Sequence, residues 1–129
     1  LLGSVRDLCK TVESTSLSVR FNVNGSPERL ETNKQVQLYY VSKELINNII
    51  KHSGTNMLEI LILADNNETL TLVFKYNGDG ISNSDVAELY KQNKGIGLKN
   101  IESRLRTISG KIDYIKNGAA ESSIHLYLS

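Results

Sequence analysis

Residues 33–53 constrain the fold of this chain more than any other stretch. Val41, Leu45 and Ile49 recur at four-residue spacing, so a helix here carries one apolar face that must be covered. Thr32 or Asn33 offers a cap, the helix is predicted to run to about His52, and Gly54 supplies the stop. The flanking sequence supplies a sheet to cover it. Leu17, Val19, Phe21 and Val23 alternate through 16–23, and Asn24-Gly25-Ser26-Pro27 then turns the chain. Two more strands, 57–65 and 69–76, flank Asn66-Asn67-Glu68 as a hairpin. In the second, Leu70, Leu72, Phe74 and Tyr76 share one face. A short helix is predicted over 84–90. A longer one, over 97–109, has Leu98, Ile101, Leu105 and Ile108 as its stripe and stops at Gly110. The segments 111–116 and 122–128 pair across Asn117-Gly118. This order predicts an α/β (α+β) two-layer sandwich, a mixed sheet with helices on one face.

The 129 residues suffice for one domain, and a formal net charge of +1 argues against a nucleic-acid footprint. No apolar run approaches the roughly 20 residues that cross a bilayer. Cys9 is the sole cysteine, which excludes an intramolecular disulfide and fits a cytoplasmic setting; it reads as a small apolar helix residue. Leu1, Leu2, Val5, Leu8 and Val12 recur at helical spacing, so 1–15 is expected to be the end of a preceding helix or linker, and 16–129 the folded domain.

Three constellations carry chemistry. Along the first helix, Glu44, Asn48 and Lys51 fall in a strip roughly 60° wide beside the apolar face. A carboxylate, a neutral amide and an ammonium there can orient a nucleophile, bind Mg²⁺ and contact phosphate. Taken alone, such a strip is also an ordinary solvated helix face. The second constellation, Asn77-Gly78-Asp79-Gly80-Ile81, follows a strand, and its glycines let the backbone bend and a ligand approach. The third, Lys94-Gly95-Ile96-Gly97-Leu98-Lys99-Asn100, opens a helix whose free N–H groups attract phosphate.

In this order KELINNIIKHSG, NGDGI and KGIGLKNIESRL resemble the N box and two glycine boxes of the GHKL ATPases. The pattern looks most like sensor histidine kinases of the nitrate-sensor and desaturase-sensor type, over 17–128. The resemblance implies the Bergerat fold, with ATP and Mg²⁺ held under a short, mobile lid at 82–94. It makes Glu44 the acid that assists attack on the γ-phosphate and Asn48 the Mg²⁺ ligand. Lys51 becomes a phosphate contact, with His52 beside the nucleotide. Gly78, Gly80 and their neighbours Asn77, Asp79 and Ile81 match the first glycine box, and Gly95, Ile96, Gly97 and Leu98 the second. It also implies partners: a dimerisation and phosphoacceptor domain of the same parent, which acts as a dimer, and a response regulator. The setting is cytoplasmic, whether or not the parent is anchored in the inner membrane.

Two departures touch adenine reading. Tyr76 stands where the family usually has aspartate, and the last hairpin has no threonine in Asn117-Gly118-Ala119-Ala120-Glu121-Ser122. Asn77 and Asp79 are the substitutes within reach as adenine partners. Tyr76 is the feature that favours the alternative, a degenerate kinase-like module signalling through contacts. The expectation for a competent site is weak ATP binding with poor discrimination against GTP.

Overall fold

The computed structural model describes residues 2–27, 30–65, 69–117 and 121–128. In chain order the elements are α1 (Leu2–Val12), β1 (Ser18–Asn24), α2 (Thr32–Ser53), β2 (Met57–Ala64), β3 (Leu70–Tyr76), α3 (Asn83–Lys91), α4 (Ile96–Thr107), β4 (Lys111–Asn117) and β5 (Glu121–Leu128). The five strands form one mixed sheet in the order β1-β2-β3-β5-β4. Only β1 and β2 are parallel, as a connection through a helix demands; the remaining neighbours are antiparallel. The turns at 66–68 and 118–120, expected from sequence, lie outside the described residues.

Alternation decides which face is covered. Leu58, Ile60 and Ile62 of β2, with Leu72, Phe74 and Tyr76 of β3 and Ile124 and Leu126 of β5, are almost wholly buried. Against them α2 sets Leu38, Val41, Leu45 and Ile49, and α4 sets Leu98, Ile101 and Leu105. The opposite sheet face carries Glu59, Lys75, His125 and the exposed Leu63 and Tyr127, although Val73 and Ser123 are buried on it.

The 1–15 segment does more than trail from the sheet. α1 packs on α2 and β1 and buries Val5 and Cys9. Burial, and secondarily Glu13, pushes the Cys9 thiol up to about 11, so it packs as an apolar group. Helix ends also differ from the sequence reading. Glu31, not Thr32 or Asn33, takes the cap position of α2, and no side chain caps that end. α4 stops through a left-handed Ser109 (φ 56°), with the Gly110 N–H bonded back to Leu105 O.

Two left-handed glycines bracket the end of α2 with different surroundings. Gly54 (φ 68°) has open space where a side chain would go, whereas at Gly78 (φ 87°) a methyl would collide with the Ser53 carbonyl. Gly54→Ala is therefore expected to cost only the left-handed penalty of about 1–2 kcal/mol. Gly78→Ala is expected to cost clearly more, because backbone must also move. Urea denaturation of the two variants checks the ranking.

Candidate functional site

Burying one face of α2 determines what lies at its margin. With Leu45 and Ile49 locked inward, Glu44 and Asn48 sit half-buried at the edge, and Lys51 and His52 are exposed at the last turn. The start of α4 crosses this edge. A methyl on Gly97 would lie 2.5 Å from Glu44 Oε1 and 3.6 Å from Asn48 Nδ2, so a side chain there would push the Glu44 carboxylate aside while leaving Asn48 in ordinary contact. Gly95 (φ 79°) holds the cap position of α4, and no side chain caps that helix.

The turn after β3 is fastened to the end of α2. The Asp79 N–H donates to Ser53 O at 2.8 Å. Asn77 faces away from the helices, into the 55–57 loop: its Oδ1 accepts the Asn56 N–H (3.1 Å), and its Nδ2 donates to Asn56 Oδ1 (2.7 Å). The Thr55 hydroxyl lies 2.6 Å from Asn77 Oδ1 and 2.7 Å from Met57 O, so its one proton serves one of them at a time. Tyr76 points inward and is 1% exposed; its phenol oxygen accepts the Ile81 N–H at 3.3 Å. Burial pushes the Tyr76 phenol above its ordinary range, with the Ile81 bond opposing.

The polar 82–94 segment, expected to be a mobile lid, is built around α3. Ser82 and Asp85 form a reciprocal capping box, and the Ser82 N–H holds the exposed Asp85 carboxyl below its ordinary range. Asn83 ties α3 to the free edge of β4, accepting the Tyr114 N–H (2.9 Å) and donating to Asp113 Oδ1 (2.7 Å). At the far end Tyr90 is pushed up to about 12, first by burial and then by its hydrogen bond to Glu102. The chain then leaves through a left-handed Asn93 (φ 54°), with the Lys94 N–H bonded to Leu89 O.

These pieces enclose a cavity of about 850 Å³. Of the residues singled out from sequence, Glu44, Asn48, Lys51, His52, Tyr76, Asp79, Gly80, Ile81, Gly95, Ile96, Gly97 and Leu98 line it, whereas Asn77 and Gly78 do not. The sequence reading missed Ser53, Asp85, Glu88, Leu89, Gln92, Tyr114, Lys116 and Ile124 as further lining. Ile124, Tyr114 and Lys116 were accessible in principle from strand alternation, since 114 and 116 share one face of β4. Among the described residues no group of three or more His, Cys, Asp or Glu side chains is gathered to hold a metal.

The sequence profile described as histidine kinase-, DNA gyrase B- and HSP90-like ATPase matches residues 33–129, which include every cavity residue named above. The chain belongs to this ATPase family. Sensor histidine kinase ComP of Bacillus subtilis is 27% identical over 115 residues, covering 86% of this chain and 14% of that protein. Sensor histidine kinase MctS of Rhizobium johnstonii is 25% identical over 111 residues, covering 85% of this chain and 23% of its own length. The ATPase domain thus spans less than a quarter of either relative. Its fold is that of the Acinetobacter baumannii histidine kinase AdeS, with a TM-score of 0.74 at 21% identity over 98% of this chain and 63% of that one.

Within this ATPase domain, Asn77 is expected to behave as a clamp on the 55–57 loop. Asn77→Ala strands several polar groups and should cost about 1–3 kcal/mol of stability. Thermal melts should therefore shift, while any nucleotide affinity measured on the folded fraction changes little.

Proposed function

We propose that this ATPase domain is the catalytic part of a sensor histidine kinase. It binds ATP and transfers the γ-phosphoryl group to a histidine on a separate dimerisation domain of the parent. A response regulator then receives it, and the parent works as a dimer with this domain on the cytoplasmic side. One observation carries the reading: the Glu44 carboxylate lies against Gly97, at the uncapped N-terminus of α4, in one cavity with Asn48 and Lys51.

The chemistry of each group fits its assignment. N–H groups at the α4 start and the helix dipole attract phosphate oxygens, and Lys51 and Lys116 add positive charge to the cavity wall. The donor set also suits Mg²⁺. That ion is commonly held by one or two protein oxygens together with substrate phosphates, so a single amide oxygen from Asn48 is the appropriate contribution. When bound, the ion would neutralise charge on the phosphates. Glu44 orients the attacking imidazole and takes its proton.

The acceptor histidine has to come from elsewhere. His125 lies on the sheet face away from the cavity, bonded to Ser123 Oγ (3.1 Å) and stacked on Tyr127. His52 lies at the cavity margin, in the last turn of α2. The cavity also retains Glu44 and Asn48, which favours an active domain over a degenerate module. Among the described residues no helix is long and apolar enough to cross a membrane.

Three variants separate the roles. Glu44→Gln should leave nucleotide affinity nearly unchanged and slow transfer to a supplied dimerisation domain by about 10²–10⁴-fold. Asn48→Ala should weaken Mg²⁺-dependent nucleotide binding without unfolding the domain. Gly97→Ala should displace the Glu44 carboxylate and mimic Glu44→Gln in transfer. Wild-type transfer by Glu44→Gln, measured with radiolabelled ATP, would remove Glu44 from the chemistry.

A further inference from the structure

The approach of Glu44 to Gly97 is one end of a longer seam between α2 and α4. Gln37 stands seven residues before Glu44, and Arg104 stands seven residues after Gly97. Seven residues are two helical turns, about 10.5 Å of rise with a drift of about 20°, so each pair shares one line on its helix. Arg104 Nη1 donates to Gln37 Oε1 at 3.1 Å. The two helices therefore run antiparallel here and meet in the same register at both ends. Val41 and Ile101 lie between those ends, and both are buried.

Arg104 grips α2 twice. Its guanidinium carbon also lies 4.6 Å from the centre of the Tyr40 ring, one turn along from Gln37. A planar guanidinium can stack on a ring and donate from its edge at once, which a lysine ammonium does not. None of the ion pairs among the described residues involves Arg104, so its partners on α2 are an amide and an aromatic face. The apolar stripe of Leu98, Ile101 and Leu105 holds α4 on the core but tolerates small slips along the helix axis. At the far end no side chain caps the α4 N-terminus. The directional contact that sets α4 against α2 is the one at Arg104.

Resting on the reading of this cavity as a phosphoryl-transfer site, we propose that Arg104 is a positioning residue, which through Gln37 and Tyr40 sets the start of α4 against Glu44. Arg104 is absent from the cavity lining and acts two turns away, through the pose of the helix. Phosphates bound to the N–H groups of the α4 start move with that helix, so losing the grip leaves nucleotide affinity nearly unchanged. Glu44 belongs to α2 and does not follow. The loss falls on transfer, where a displacement of about 1 Å costs up to about 10²-fold.

Two measurements test this, with Arg106→Ala as the control. Arg106 is an exposed arginine on the same helix, paired with Glu102 at 3.8 Å. In two-dimensional NMR of the 129-residue chain without nucleotide, Arg104→Ala should move the Gly97 amide resonance clearly further than Arg106→Ala does. Changes confined to 37–40 and 101–107 overturn the proposal. The second measurement is transfer to the dimerisation domain of the parent. Arg104→Ala should slow it about 10-fold while ATP affinity stays within about 2-fold. In a Glu44→Gln background the same change should cost less than about 2-fold, because the carboxylate it positions is gone. Equal slowing in both backgrounds makes Arg104 merely structural and overturns the proposal. Tyr40→Ala should reproduce the Arg104→Ala defect, and the conservative Tyr40→Phe, which keeps the ring, should restore transfer. If Arg104→Ala does not fold, Gln37→Ala, which removes only the acceptor, carries the same comparisons. Wild-type transfer by Glu44→Gln defeats the reading of the site instead, and the Gly97 resonance still decides whether Arg104 sets the approach of the two helices.

Discussion

The seating of α2 on the inner sheet face governs the rest of this domain. Its buried side chains, Leu38, Val41, Leu45 and Ile49, meet the apolar rows of β2 and β3. A turn of the helix by one residue, about 100°, would carry Glu44 away from Gly97 and bring a charged group toward the core. The same seating fixes the Ser53 carbonyl, which receives the Asp79 N–H and so sets the glycine turn. Core packing and site geometry are therefore two readings of one contact. A cavity left by trimming Leu45 would be felt at the phosphate end as well as in stability.

The two ends of the cavity are built from different materials. At the α4 start the wall is backbone and a helix terminus, which depend on the fold and on glycines at 95 and 97. At the other end the wall is made of side chains, chiefly Tyr76. The first can be shared by relatives with 27% identity. The second can change with one residue.

Much of the fold was legible because it rests on local periodicity. The stripe through Val41, Leu45 and Ile49 predicted α2, and alternation in 69–76 predicted the buried row of β3. The cavity was legible through motif order, which brought Glu44, Asn48, Tyr76 and Gly97 together in prospect. What stayed hidden depends on register and on polar geometry. Asn77 looked like a ligand contact, yet a long-range bond to Thr55 decides its direction, and no local pattern announces that. Ser122 is opposite Tyr76 only because of how β5 pairs with β3. The capping box inside 82–94 also went unread, although Ser82 and Asp85 stand at its spacing.

The hold of Asn83 on β4 reaches beyond the cavity. β4 is an outer strand, and an outer strand presents unpaired N–H and C=O groups that can template another chain. Asn83 occupies the Tyr114 N–H and sets the start of α3 alongside. The same helix thus shields a sheet edge. Any motion that lifts α3 from β4 to admit a ligand also bares that edge, coupling opening of the cavity to the risk of strand-to-strand association. A ligand that keeps α3 down would then protect the protein from self-assembly without adding a single contact to the core.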